Sequence, residues 1–109
     1  MSISSDIKDK TASLKELVEL RLAAQGGSVR AQYLLGIKLG AAENGPKEVA
    51  EAVKWYRKAA QQDFAPAQNN LGLLLAGKRL ESPQPEEAVK WFRRAAQQGM
   101  AAGQWNLAR

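Results

Sequence analysis

Apolar residues recur along this chain at intervals of three and four, in successive blocks parted by short polar stretches, which is the period of helices buried along one face. The first block, LKELVELRLAAQ, follows Ser13 with Glu16 three residues on, a capping-box start, and Gly26 and Gly27 end it. A second helix is expected from about Arg30 to Ala41, with Ala31, Leu35 and Leu39 four apart on one face and Gly36 leaving room for a close neighbour. Asn44, Gly45 and Pro46 then break the chain. Proline at a first helical position, with Glu48 in the first turn, opens a third helix that runs to about Gln62 through Val49, Ala52, Val53, Tyr56, Ala59 and Ala60. A fourth helix spans about Pro66 to Ala76, and a turn rich in Ser82, Pro83 and Pro85 leads to a fifth that ends near Gln98. No stretch shows the alternation of a strand.

These blocks repeat. AQYLLGIKL from Ala31 returns from Ala67 as AQNNLGLLL, and EAVKWYRKAAQQ from Glu51 returns from Glu87 as EAVKWFRRAAQQ. Residues 29–64 and 65–100 agree at 15 of 36 positions without a gap. A third copy starts at Ala101, with Gln104 and Leu107 on the Gln68 and Leu71 positions, and Ala23, Ala24 and Gln25 keep the end of an earlier one. The expected division is a loosely ordered leader over 1–12 and one helical-repeat domain over 13–109: a half repeat 13–28, repeats 29–64 and 65–100, and a half repeat 101–109. A unit of this length cannot bury its apolar face alone and stacks on its neighbours.

AQxxLG, then EAVKW with an aromatic residue, then AAQQ, read twice in that order, make residues 16–109 resemble the Sel1-like repeats of the tetratricopeptide-like superfamily. The resemblance implies an all-α fold, an α/α solenoid of antiparallel helix pairs wound as a right-handed superhelix with a concave face. It also implies a non-catalytic adaptor or scaffold that holds other proteins in signalling, quality control or bacterial host interaction, although a fold does not name its partner. Two features depart from the pattern. The turns read AENG at 42–45 and KRLE at 78–81, and Leu39 or Leu75 stands where a tyrosine is expected. Tetratricopeptide-like geometry, carried onto this chain, puts Tyr33, Asn69 and Trp105 in one row of the concave face and Ile37 and Leu73 in the next. Asn69 and Asn70 offer amides to an extended backbone. For Ile37 and Leu73 the alternative is packing between units, and Trp55 and Trp91 are assigned to packing.

Composition narrows the function. Histidine and cysteine are both absent from the 109 residues, which removes the commonest general base, the thiol nucleophile and nearly all transition-metal ligand sets. Glu48, Glu51, Glu86 and Glu87 cluster at helix starts, where the helix dipole accounts for them. No glycine-rich phosphate loop is present, so no enzyme and no cofactor are expected. The net charge of +5 is concentrated in Lys54, Arg57, Lys58 and their equivalents Lys90, Arg93, Arg94, a solvated outer face in the plain interpretation. A protein partner is expected, with no membrane and a cytoplasmic location; nucleic acid is disfavoured, and a homodimer through the exposed terminal helix carrying Trp105 is one option beside a capping role for it. Two other roles stay open: an inhibitor or immunity protein that neutralises a toxin or enzyme, and a binder of anionic surfaces or nucleic acid through the basic rows.

Overall fold

The structure of the protein, a computed structural model, describes residues 2–99, with side chains from residue 14 onward. The described residues form five helices: α1 (Ser2–Gln25), α2 (Val29–Leu39), α3 (Pro46–Gln61), α4 (Ala65–Ala76) and α5 (Pro85–Gln97). Each packs on the next in sequence, so α2/α3 and α4/α5 are two hairpins stacked side by side, with α1 on the open side of the first. This is an α solenoid. The half repeat at 101–109 lies outside the described residues.

The ends of α1, α3 and α5 share one device. Gly27, Asp63 and Gly99, each 36 residues from the next, have φ of 100°, 64° and 83°. At the first two, the chain reverses with paired backbone bonds, Gly27 N–H to Ala24 and Ser28 N–H to Ala23, then Asp63 N–H to Ala60 and Phe64 N–H to Ala59. That is the Schellman closure, which needs one left-handed residue; Asp63 adopts it without glycine's freedom. The helix starts are also specified locally. Ser28 Oγ accepts the Ala31 N–H at 3.1 Å ahead of α2, and the Glu48 carboxylate accepts the Gly45 N–H at 3.1 Å ahead of α3.

One boundary differs from expectation. α1 begins at Ser2, eleven residues before the start read at Ser13. Residues 2–25 contain neither glycine nor proline, so nothing interrupts the backbone there, and a Ser-x-x-Glu spacing fits a helix interior as well as a helix start.

Within each hairpin the second helix lays an aromatic ring on a glycine of the first. A Cβ on Gly36 would stand 2.6 Å from the Tyr56 ring, and one on Gly72 would stand 2.5 Å from the Phe92 ring. Around these seats Leu35, Val49, Leu71 and Leu75 are fully buried. Trp55 packs with Ala24, Ala31 and Leu35 and is covered by Leu17 and Leu20 of α1; Trp91 lies in the larger cluster with Val53, Ala60 and Leu71.

The two atypical turns are tied together. Asn44 Nδ2 donates to the Lys38 and Leu39 carbonyls, closing α2, and the Arg79 guanidinium donates to the carbonyls of Gly40 and Ala41, each at 2.6 Å. The turn of the second unit thus holds the turn of the first.

Gly72→Ala should destabilise the chain by about 1–3 kcal/mol, because overpacking against Phe92 exceeds alanine's helix-propensity gain of about 1 kcal/mol. Urea unfolding measures this. Phe92→Leu placed in the Gly72→Ala background should recover part of the loss, and an alanine variant as stable as the wild type would show that the seat is not tight.

Candidate functional site

The first helix of each hairpin has one face inside and one outside. On α2, Ala31, Gln32, Leu35 and Gly36 are buried, and on α4 the same positions, Ala67, Gln68, Leu71 and Gly72, are buried too. The residue after each Leu-Gly pair therefore points away from the core. Ile37 is 43% exposed and Leu73 is 49% exposed, two large aliphatic side chains at equivalent positions of neighbouring units. Beside Leu73 is a hollow of ≈ 130 Å³ lined by Gly40, Tyr56, Asn70, Leu73 and Leu74.

Tyr56 forms the wall of that hollow. Its ring rests on Gly36, and its hydroxyl accepts a bond from Asn70 Nδ2 at 3.4 Å. Burial raises its pKa, the Asn70 bond opposes that rise, and Tyr33 adds to it. Tyr33 is half-buried and makes ring contacts with Tyr56, at 6.0 Å between centroids, and with Phe64, edge-on at 5.1 Å. Those distances suit aromatic packing between the two hairpins.

The structure thus gathers Asn70 and Leu73 at one hollow and places Ile37 at the matching position of the preceding unit. Tyr33 stands at the edge, engaged with its neighbours. Asn69 does not share the face: it is 6% exposed. Trp105 lies outside the described residues. Tyr56 and Leu74 were not among the residues expected at this face, and Tyr56 was placed in the core because it sits where the other unit has Phe92; the hydroxyl present in one unit and missing from the other was the available signal.

The opposite edge, along α1, α3 and α5, is occupied by structural pairs. Arg21 meets Glu51 at 2.7 Å and Arg57 meets Glu87 at 2.9 Å, and in each unit the same carboxylate accepts an indole N–H, from Trp55 at 3.2 Å and from Trp91 at 2.9 Å. The Arg21 bond lowers the Glu51 pKa against the effect of partial burial, with Trp55 helping. Burial alone would push Glu87 up, but the bonds from Arg57 and Trp91 outweigh it and hold the carboxyl low. Of the basic rows, Arg57 is committed to Glu87 and Arg94 to Asp63, while Lys58 Nζ lies 5.2 Å from the Trp55 ring centre and Arg94 lies 5.3 Å from that of Trp91. A larger hollow of ≈ 490 Å³ opens between α3 and the turn after α4, lined in part by Lys47, Val53, Leu75 and Leu80. Among the described residues no cluster of acidic side chains could hold a metal ion, and no helix is long and apolar enough to cross a membrane.

The family model described as Sel1 repeat matches residues 29–64 and again residues 65–100. The chain belongs to the Sel1 repeat family, whose repeats generally mediate protein–protein interactions and are typically not catalytic. A comparison with curated proteins finds no match.

The two depressed carboxyls make a pH prediction. A group whose folded pKa lies below its unfolded value contributes stability that is whole above the unfolded value, about 4.3 for glutamate, and that drains as the pH falls through the lower folded value. Wild-type Tm should therefore fall below about pH 4 more steeply than that of the Glu51→Gln, Glu87→Gln variant. At pH 7 the variant should be less stable by about 1 kcal/mol or less per site, because solvent screens partly exposed pairs. Equal acid slopes in the two proteins would contradict the assignment.

Proposed function

We propose that this Sel1-repeat chain is a non-catalytic adaptor that binds a segment of another protein on the face shared by α2 and α4. One observation carries the proposal: Ile37 and Leu73 are exposed at matching positions of helices whose inner faces, with Ala31, Leu35 and Gly36 on one and Ala67, Leu71 and Gly72 on the other, are buried. Nothing in the packing of either hairpin requires a large aliphatic group there, and an apolar pair bordered by polar groups is the form that recognition anchors take.

The partner segment lies across both units, with apolar side chains against Ile37 and Leu73 and one filling the hollow beside Tyr56. Asn70 supplies the polar contact. Its amide has a second N–H beyond the one given to Tyr56, so it is able to pair with a partner carbonyl. Tyr33 and Asn69 support this face from within, Tyr33 through its ring contacts and Asn69 from its buried position, and the 36-residue period carries the same role onto Trp105 in sequence. In this reading the chain acts in the cytoplasm. Acid–base work is disfavoured by the state of the best-placed carboxylates: Glu51 and Glu87 are ionised, bonded to arginine and tryptophan, and held low.

The test is capture from a lysate of the native source with wild type and with Ile37→Asp, Leu73→Asp, both first shown equal in helix content and Tm. Binding of the retained protein should weaken tenfold or more, about 1.4 kcal/mol, in the variant. Equal retention by both chains would remove this face from the proposal.

A further inference from the structure

On α1, Leu14, Val18 and Leu22 are exposed by 63%, 57% and 63%, and their spacing of four places them in one stripe along the helix. Their equivalents 36 residues on are Ala50, Lys54 and Lys58, and a further 36 residues on are Glu86, Lys90 and Arg94. All six are exposed. The outer face that two units keep small or charged is apolar in the first helix.

The stripe is not a stacking surface for another unit. Trp55 of α3 packs toward the preceding unit, with Ala24, Ala31 and Leu35, and is buried. On α1 the same position is Glu19, which is exposed. That side of α1 is therefore polar, and its apolar side is turned elsewhere. α1 also has 24 residues against 11 in α2, so at about 1.5 Å per residue it runs far beyond the helix that covers its inner side.

We propose that this stripe is a homodimer contact, in which α1 pairs antiparallel with α1 of a second copy of the chain about a two-fold axis at Val18. Charge selects the occupant and its direction. Lys15 and Glu19 lie one turn apart on the same flank of the stripe, both exposed. An antiparallel pair brings like flanks together, so Lys15 of each copy meets Glu19 of the other, twice by symmetry. Parallel pairing would oppose Lys15 to the flank of Arg21.

The chain has no cysteine, so single cysteines report cleanly. Sedimentation should show a concentration-dependent monomer–dimer equilibrium that Val18→Glu abolishes with helix content unchanged. Lys15→Glu alone should weaken the dimer about three- to tenfold, and Lys15→Glu with Glu19→Lys should restore it. Under mild oxidation Val18→Cys should cross-link with itself. Leu14→Cys and Leu22→Cys should each stay uncross-linked, being about 12 Å from their own copies, yet cross-link with each other when mixed. A wild type that remains monomeric at all concentrations overturns the proposal, as do self-cross-links at all three positions. Association of the monomer with vesicles containing anionic lipid, lost in Val18→Glu, would assign the stripe to a membrane surface and overturn it too.

Discussion

The contact on which the rest of this structure depends is an aromatic ring lying on a glycine. Tyr56 on Gly36 and Phe92 on Gly72 set how near the two helices of each hairpin come. At that separation Leu35 and Leu71 are fully enclosed and the alanines at 52, 59, 67 and 95 become the correct size, because anything larger would hold the helices apart. The glycine is an opening in the helix surface rather than a flexible joint: both sit inside helices with ordinary backbone, and their helix-propensity cost of about 1 kcal/mol each is offset by the ring burial they permit.

Hairpins built this way still leave one side of each second helix apolar, and a polar ladder settles which hairpin may cover it. Gln32 Nε2 donates to the Ala24 carbonyl and Gln68 Nε2 to that of Ala60, each at 3.1 Å and buried. Gln62 and Gln98 then donate to the side-chain oxygens of Gln32 and Gln68, at 2.9 and 2.8 Å. The acceptor alanines belong to the helix ends that also carry the Schellman turns, so one short stretch, AAQ with its following residue, both stops a helix and docks the next. A mispaired hairpin would bury these amides without partners, at about 1–3 kcal/mol apiece. Among the described residues every buried side-chain polar atom is bonded. The Arg–Glu–Trp sets repeat the lesson at the outer edge, where lower burial makes them less valuable.

How much of this was legible follows from what repeats. The helices, the close approach at Gly36 and the core placement of Trp55 and Trp91 all rest on residues that recur at 36, and each is found where the period implies. Arg79 occurs once; the position before it in the period is Glu43, and its bonds reach back 39 and 38 residues, so neither spacing nor period could announce them. The start of α1 was misplaced for a different reason, since a capping motif is only a side-chain spacing and the helix ran straight through it. At the candidate face the exposed positions of Ile37 and Leu73 were readable from the motif offset. The inward position of Asn69 and the part played by Tyr56 were not, because both turn on the rotation of α4 and on a ring whose spacing is that of the core.

A unit of this chain is stable only when stacked, its hairpin seat being local and its remaining apolar side covered by neighbours. Circular dichroism of an isolated chain spanning residues 29–64, compared with the full protein through a temperature ramp, tests that claim most directly. Weak helicity and no cooperative transition are expected for the isolated unit, with Trp55, Val53 and Ala60 all deprived of the groups that cover them. A cooperative unfolding transition in the isolated unit, at a Tm near that of the full chain, would contradict it.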